Sequence, residues 1–283
     1  MVKGLVQGVG FRPFIYRLAN SLNLKGMVDN RTDGVLIIVE GPEEKITEFH
    51  EKIVKLAPQA SQIKSIEIKH RELSGFADFR IAPSINGGAR ITEISPDIAV
   101  CSECLSDMVN DPLRIDYPFV NCTNCGPRFT IIESLPYDRQ TTSMKYFSMC
   151  SKCESEYHNI IDRRFHAQPV ACNRCGPQYL YEGPEGRIEN ISDILLTVAD
   201  RIHRGETVAV KGQGGYHLIC NAIDSAAVAK LRQRKHRDAK PFAVMFRDTA
   251  ALLDFCYANN RELEELTSWR RPVVILRQKK ELP

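Results

Sequence analysis

The sequence predicts an α+β protein of several domains, and two observations lead to this fold class. Over residues 1–84, the predicted elements are close to the order β-α-β-β-α-β, which is that of the ferredoxin-like arrangement. Beyond them, eight of the ten cysteines fall between Cys101 and Cys175 in Cys-x-x-Cys pairs. We therefore divide the 283-residue chain into a ferredoxin-like domain (1–84), a cysteine-rich region (85–185) and a mixed α/β region (186–283).

The composition excludes several classes of protein. Hydrophobic residues make up 43% of the chain and charged residues 26%, which is ordinary for a soluble globular protein. The net charge of +3 is too small to indicate nucleic-acid binding by itself. No apolar run approaches the length of a membrane span, and the N-terminus lacks the apolar segment of a signal peptide. We expect a cytoplasmic protein without membrane association.

Hydrophobic spacing defines the elements of the first domain. A short first strand leads into a glycine-containing loop, and a helix follows with Pro13 in its first turn. Apolar residues recur at helical spacing as far as Leu22, and Gly26 supplies the stop. A second helix is predicted at 42–57, and further strands at 27–30, 35–40, 63–70 and 76–81.

The loop before the first helix, which contains Gly8 and Gly10, is the candidate functional segment of this domain. Glycines immediately before a helix N-terminus let main-chain N–H groups converge on an anion, and the helix dipole favours negative charge there. Arg12 is placed to add a bidentate clamp on the same phosphate. By itself, however, a Gly-x-Gly loop before a helix is at least as often only a tight turn.

The string Gly4-Leu-Val-Gln-Gly-Val-Gly-Phe-Arg12, followed by Asn30 and Asp33-Gly34, resembles the acylphosphatase signature. The resemblance implies two catalytic residues, Arg12 to hold the acyl phosphate with the loop amides and Asn30 to orient the attacking water. An acyl phosphate is already activated, so its hydrolysis needs charge stabilisation and positioning more than a strong base. By the same resemblance, the phosphate-binding residues are Gln7, Gly8, Val9, Gly10, Phe11 and Arg12.

The cysteine-rich region consists of four Cys-x-x-Cys pairs, and one such pair supplies half of a tetrahedral zinc shell. A Cys-x-x-Cys-Gly-Pro string occurs twice in it, which indicates one zinc module written twice. A disulfide framework does not fit a chain without a signal peptide, and a redox-active pair would not come in four copies. We therefore predict two Zn²⁺ sites, with the ligands Cys101, Cys104, Cys122, Cys125, Cys150, Cys153, Cys172 and Cys175.

The sequence leaves the pairing of these four turns open. The duplication favours a sequential arrangement, in which the first pair joins the second and the third joins the fourth. An interleaved arrangement, first with fourth and second with third, has the same ligand list. Because the thiolates already complete both shells, we expect His158 and His166 not to be ligands.

Aromatic and basic residues lie between the metal pairs, among them Tyr137, Arg114 and Arg128. Such residues either stack nucleic-acid bases or build the small core that a metal-stapled module needs. The basic residues are interspersed with acids rather than clustered, which favours core and interface.

The third region is predicted to be mixed α/β, with a helix at 191–204 followed by a strand at 207–212. Asp224 or Ser225 caps a further helix. Other strands are predicted at 218–222, 242–246 and 273–277.

The stretch Lys211-Gly-Gln-Gly-Gly-Tyr-His217, with the basic cluster 235–240, resembles the start of a YrdC-like domain. The resemblance implies a small-molecule pocket and contacts to nucleotide phosphates, with ATP as co-substrate. A solvated helix end, whose basic residues complement the helix dipole, is the alternative. The YrdC-like family is also associated with double-stranded RNA, which makes RNA a candidate partner. The residues implied in nucleotide or carbamoyl binding are Lys211, Tyr216, Lys235, Arg237 and Lys240.

In this order, the three regions resemble the N-terminal part of the HypF family of carbamoyltransferases, which mature nickel–iron hydrogenases. The resemblance covers the whole chain. It implies that the first domain hydrolyses carbamoyl phosphate, that the YrdC-like domain makes a carbamoyl-adenylate from ATP, and that a HypE-type acceptor protein receives the carbamoyl group. Because the chain ends inside a YrdC-like domain, we expect it to keep the acyl-phosphate step and not the ATP-dependent transfer.

A function of another class is a non-catalytic zinc-finger module that docks to a maturation partner or to RNA. The presence of both Arg12 and Asn30 argues against it. If the zinc region is only a spacer, removal of the metal is expected to unfold 101–175 and leave acyl-phosphate hydrolysis intact.

Overall fold

The computed structural model describes residues 1–58, 60–83, 93–184, 186–237 and 239–283. They form two compact units, residues 1–177 and 178–283. The domain limits expected from the sequence at 84/85 and 185/186, and most of the expected linker at 83–89, fall on residues outside this description.

A five-stranded sheet forms the first part of unit 1. Its strands are β1 (Val2–Leu5), β2 (Lys25–Arg31), β3 (Gly34–Glu40), β4 (Gln62–Ile66) and β5 (Phe79–Ile81). They lie in the order β4-β1-β3-β2-β5. β2 pairs with β3 as an antiparallel hairpin from Lys25↔Glu40 to Arg31↔Gly34, and with β5 in parallel. The ferredoxin-like order expected from the sequence is confirmed.

Two helices, α1 (Phe11–Ser21) and α2 (Glu43–Lys55), accompany this sheet. α1 buries Phe11 and Ile15, each at most 1% exposed, because its apolar residues recur at helical spacing. A buried aliphatic or aromatic side chain of this kind stabilises the fold by about 1.5–3 kcal/mol. The same packing fixes the start of α1, and with it the loop that precedes the helix.

Over the described residues 93–184, the cysteine-rich region has little regular structure. Its two α-helices, α3 (Ser102–Asn110) and α4 (Ser151–His158), each begin directly after the first cysteine of a Cys-x-x-Cys pair. Between them lie three short 3₁₀-helices, Phe129–Ile131, Arg139–Thr141 and Ser143–Tyr146. With so few ladder hydrogen bonds, the region depends on its cysteine clusters and side-chain hydrogen bonds for a defined shape.

Unit 2 is mixed α/β, as expected. Its strands are β6 (Tyr181–Gly183), β7 (Gly186–Ile188), β8 (Val208–Lys211), β9 (Tyr216–Ile219), β10 (Cys256–Tyr257) and β11 (Arg277–Gln278). Its helices are α5 (Ile191–His203), α6 (Ser225–Lys235), α7 (Thr249–Phe255) and α8 (Asn260–Thr267). Asp224 caps α6 by accepting hydrogen bonds from two main-chain N–H groups of the first turn.

Three of the strands predicted in unit 2 need correction. The strand predicted at 218–222 begins earlier, at Tyr216, because a tight turn joins Gly212 N–H to Gly215 O at 2.7 Å and fixes the hairpin of β8 and β9. Residues 242–246 form no strand, and of 273–277 only Arg277 lies in one. Val273 and Ile275 are 82% and 95% exposed. An apolar run indicates a capacity for burial, not a partner strand.

Within the described residues, none of the helices combines the length and the apolar character needed to cross a bilayer.

Candidate functional site

The segment of residues 7–12, here called the cradle loop, leads into α1. Gly8 and Gly10 have φ values of 73° and 75°, a left-handed backbone that glycine adopts without strain. Within the described residues, the N–H groups of Gly8, Val9 and Gly10 donate to no protein acceptor. These N–H groups precede a helix N-terminus, so the loop has the donors and the dipole of an anion site.

The cysteine-rich region packs directly against the cradle loop. A Cβ on Gly10 would lie 2.8 Å from Asn124 Oδ1, and one on Gly8 would lie 3.1 Å from Cδ of Arg128. Arg128, which is 2% exposed, donates a hydrogen bond to the carbonyl of Gly8. Glycine is therefore required here both by the backbone conformation and by the close approach of the neighbouring region.

Arg12 and Asn30 are buried, at 6% and 1% exposure, and meet at one main-chain oxygen. The carbonyl of Tyr137 accepts hydrogen bonds from Asn30 Nδ2 at 2.8 Å and from Arg12 Nη2 at 3.3 Å. Arg12 also forms an ion pair with Asp138, 3.5 Å from Nη1 to Oδ2. The N–H of Tyr137 donates to Gln7 Oε1 at 3.0 Å.

A small cavity lies at this junction. It has about 20 Å³ for the centres of water molecules and is partly open to solvent. Asn30 Oδ1 and the Tyr137 hydroxyl are buried without a hydrogen-bond partner among the described residues. Burial raises the pKa of Tyr137, so its hydroxyl stays protonated. The cavity is lined by residues of the cradle loop, by Asn30 and by the cysteine-rich region, including Thr123, Arg128, Tyr137, His166 and Gln168.

The eight predicted ligands form two separate clusters. In each, the four sulfur atoms lie within 4.8 Å of one another. Neighbouring sulfurs are 3.5–3.9 Å apart in the first cluster and 3.7–3.8 Å apart in the second. Tetrahedral zinc with bonds of about 2.3 Å to sulfur sets its ligands about 3.8 Å apart, so both clusters fit zinc. The pairing is sequential, with Cys101, Cys104, Cys122 and Cys125 in one cluster and Cys150, Cys153, Cys172 and Cys175 in the other.

The two zinc modules, residues 101–125 and 150–175, also brace each other. Arg114 of the first donates to Cys153 Sγ of the second at 3.6 Å and pairs with Glu156. Arg163 of the second donates to Cys104 Sγ of the first at 2.9 Å and pairs with Asp107. The four residues occupy equivalent positions in the duplicated sequence, so the exchange is reciprocal.

The interpretation of the interleaved residues as core is confirmed for the arginines and for Tyr137. Arg114, Arg128, Arg139 and Tyr137 are all less than 9% exposed. Within the described residues, the two metal clusters consist of cysteines alone, so His158 and His166 are not part of them. His166 instead lines the cavity beside the cradle loop.

Sequence reasoning missed Tyr137 and Asp138 as neighbours of Arg12 and Asn30. Tyr137 contacts these residues through its main-chain groups, which every residue has, so the residue type does not predict the contact. The sequence does distinguish Arg128, because an arginine follows the repeated Cys-Gly-Pro string in the first module and a glutamine follows it in the second. An asymmetry of this kind within a duplication points to a contact that one copy makes and the other does not.

The predicted nucleotide-binding residues of unit 2 form two groups. Lys211 and Tyr216 are opposite each other in the hairpin, with the ammonium 6.0 Å from the ring centroid. Arg237 lies just after α6 and donates to the carbonyls of Lys240 and Pro241, at 3.2 Å and 2.8 Å. Lys235 is the last residue of that helix.

Three protein families match successive parts of the chain. The Acylphosphatase family matches residues 1–81, and the HypF finger family matches 100–132 and 149–181. The Sua5/YciO/YrdC family, described as "Telomere recombination", matches 200–283.

Individual relatives agree with this order. The carbamoyltransferase HypF of Rhodobacter capsulatus is 42% identical over 283 residues, which are 100% of the chain and 37% of that protein. A crystal structure of full-length HypF in the phosphate- and nucleotide-bound form matches with a TM-score of 0.92 at 46% identity. It covers 99% of the chain and 37% of its own. The acylphosphatase of Moorella thermoacetica is 42% identical over 86 residues, which are 91% of that protein.

The chain belongs to the HypF family. Its first 81 residues are an acylphosphatase domain, and its cysteine clusters are HypF fingers. It spans little more than a third of the length of the HypF relatives that it matches.

The two reciprocal contacts between the zinc modules predict that loss of Arg114 and loss of Arg163 lower the free energy of unfolding by unequal amounts. Replacing Arg114 by Met leaves Glu156 buried without its cation, and we expect a loss of about 3–5 kcal/mol in the free energy of unfolding. The matched variant Arg163→Met is expected to cost about 1 kcal/mol, because Arg163 is more exposed and Asp107 keeps Arg164. Chemical denaturation of the zinc-loaded protein measures both. Equal losses would contradict the assignment.

His166 predicts a pH dependence of stability. Burial, with Arg12 and His158 nearby, lowers the pKa of His166 from 6.5 to about 4, against a smaller opposing effect of Asp138. As the pH falls below 6.5, the unfolded chain takes up this proton first, so stability is lost between pH 6.5 and about 4. His166→Asn tolerates the left-handed backbone (φ 52°) and does not titrate there.

The measurement for His166 is thermal unfolding at pH 7 and pH 5.5, comparing wild type with His166→Asn. We expect the wild type to lose more stability over this interval than the variant, by on the order of 1 kcal/mol. Identical losses in the two proteins would show that His166 does not carry this dependence.

Proposed function

We propose that the chain hydrolyses acyl phosphates, with carbamoyl phosphate as its substrate, at the cavity beside the cradle loop. One observation carries the proposal: a helix N-terminus, a buried arginine and a buried asparagine meet at one small cavity. In the part of the chain that the structure describes, the N–H groups of Gly8, Val9 and Gly10 and the Asn30 oxygen have no protein partner. The names of the relatives support the substrate, since they include acylphosphatases and carbamoyltransferases.

In the proposed reaction, the N–H groups of residues 8–11 and the guanidinium of Arg12 hold the phosphoryl oxygens. Asn30 Oδ1 accepts a hydrogen bond from a water molecule and directs its oxygen at phosphorus. The new bond joins the water oxygen to phosphorus, and the bond from phosphorus to the acyl oxygen breaks. Carbamate leaves with the electron pair, and both water protons remain on the phosphate. The fixed donors stabilise charge as it moves, which is the main demand of this reaction.

We further propose that this activity serves a HypF-type carbamoyltransferase that matures nickel–iron hydrogenases. In that role, the YrdC-like part would use ATP to make a carbamoyl-adenylate, and a HypE-type protein would accept the carbamoyl group. The support is the match over the whole chain to HypF proteins, one of them crystallised with phosphate and nucleotide. Lys211, Tyr216, Lys235, Arg237 and Lys240 are the proposed nucleotide or carbamoyl contacts.

The hydrolysis proposal predicts strong losses at two positions. Arg12→Ala removes the phosphate clamp, and Asn30→Ala removes the acceptor for water; each is expected to lower kcat/KM for carbamoyl phosphate about 100-fold or more. Arg80→Ala, which removes an exposed arginine of β5, is the matched control and is expected to keep full activity. Phosphate release from carbamoyl, acetyl and benzoyl phosphate is the measurement.

If the folded, zinc-loaded protein releases no phosphate from any of these compounds, the hydrolysis proposal fails. The non-catalytic docking module would then be the better account. If Arg80→Ala lost as much activity as Arg12→Ala, the loss would report charge or stability and not the site.

The larger role has a separate test. Carbamoyl phosphate-dependent exchange of pyrophosphate into ATP measures adenylate formation independently of phosphate release. Exchange by the wild-type chain would contradict our expectation that it lacks the ATP-dependent step, and loss of that exchange in Lys211→Ala would support the proposed nucleotide contacts. Exchange unchanged in this variant would remove Lys211 from the proposal.

A further inference from the structure

The main chain of Tyr137 links the zinc-finger region to the acyl-phosphate site. Its N–H and C=O groups contact Gln7, Arg12 and Asn30, which all surround the cavity. Asn30 and Tyr137 are 107 positions apart in the sequence. The contact therefore joins two domains that the sequence alone presents as separate.

This contact determines the orientation of the Asn30 amide. A carbonyl oxygen only accepts hydrogen bonds, so the edge of Asn30 that faces Tyr137 O must be its NH₂ group. Oδ1 then points away from Tyr137, and it is buried without a hydrogen-bond partner among the described residues. A buried acceptor left unpaired costs about 1–3 kcal/mol, which a single water in the cavity would offset. The opposite orientation would present an NH₂ group to that water.

Resting on the proposed hydrolysis, we propose that Tyr137 is a positioning residue for it. Its carbonyl fixes the Asn30 amide so that Oδ1 faces the attacking water, and it restrains Arg12 at the same time. The zinc-finger region thus contributes to the acyl-phosphate site through the main-chain oxygen of Tyr137.

The segment around Tyr137 is held rigidly enough for this role. The hydroxyl of Thr141 donates to Pro136 O at 2.6 Å and accepts from the N–H of Asp138 at 3.0 Å, so it brackets Tyr137 on both sides. Arg139 donates to the carbonyls of Gln168 and Val170, at 2.6 Å and 2.9 Å. The segment is thereby attached to the second zinc module.

The test perturbs this bracket without touching the cavity lining. Thr141→Val keeps the side-chain shape and removes the hydroxyl, which contacts Pro136 O, Asp138 N–H and Asp138 O, so the Tyr137 carbonyl loses this restraint. We expect kcat for carbamoyl phosphate to fall about tenfold, with KM changed less than about twofold, because misplacement of a positioning group acts on the chemical step. Thr142→Val is the matched control: it removes a neighbouring buried hydroxyl that donates to Arg139 O and accepts from the N–H of Met144. Neither partner lines the cavity, so this variant is expected to keep kcat.

A second pair of variants separates the carbonyl from the side chain. Tyr137→Phe keeps the ring and the main chain and removes only the hydroxyl, whereas Tyr137→Gly frees the backbone. We expect Tyr137→Gly to lose more kcat than Tyr137→Phe, and at least as much as Thr141→Val. Zinc content and thermal unfolding are measured for every variant, and only those that keep two zinc ions are compared.

Three results would overturn the proposal. The first is an unchanged kcat in both Thr141→Val and Tyr137→Gly. The second is a loss in Tyr137→Phe as large as in Tyr137→Gly, which would assign the role to the hydroxyl. The third is a rise in KM that accounts for the whole loss, which would indicate a loosened fold. If the wild type itself released no phosphate, the proposed hydrolysis would fail, and the positioning role of Tyr137, which rests on it, would fail with it.

Discussion

Two sets of four sulfur atoms, each at the spacing of a tetrahedral metal shell, hold the cysteine-rich region in one shape. The region between Cys101 and Cys175 has two short α-helices and three single-turn 3₁₀-helices, so it has little ladder structure of its own. Its remaining order comes from buried arginines. Arg114 and Arg163 each bond a thiolate of the other module, so each cluster depends on its neighbour as well as on its own ligands.

The site beside α1 depends on that order. Arg128 and Tyr137 lie between the two clusters in the sequence, and both contact the cradle loop or the residues around it. The acylphosphatase domain supplies Arg12 and Asn30, and the zinc-finger region encloses them at the cavity. A cavity of this size holds little bulk water, so each fixed donor acts in a low dielectric, where hydrogen bonds and charges count for more.

The sequence was sufficient to predict those features for which a local pattern has one structural solution. The βαββαβ order follows from hydrophobic spacing, and the eight ligands follow from the Cys-x-x-Cys turns. The sequential pairing was favoured by the duplication, and only the structure decides it. Arg12 and Asn30 meet at one cavity, in agreement with the motif that contains them. Their catalytic roles stay proposals.

Other features could not be predicted from the sequence, for physical reasons. The contact from Tyr137 to Asn30 uses a carbonyl oxygen, which every residue has, so no sequence pattern encodes it. The exchange of Arg114 and Arg163 between modules requires knowing which surfaces of a duplicated unit face each other. The strands predicted at 242–246 and 273–277 failed because strand propensity describes one chain segment, whereas a strand needs a neighbour.

The central claim is that the zinc-finger region and the acylphosphatase domain act as one catalytic unit. The most direct measurement is carbamoyl phosphate hydrolysis during stepwise removal of zinc with a chelator, with released zinc quantified in the same samples and zinc added back at the end. The account predicts that kcat falls in step with zinc loss and returns on re-addition. Metal-free protein that hydrolyses carbamoyl phosphate with an unchanged kcat would contradict it and make the zinc region a spacer.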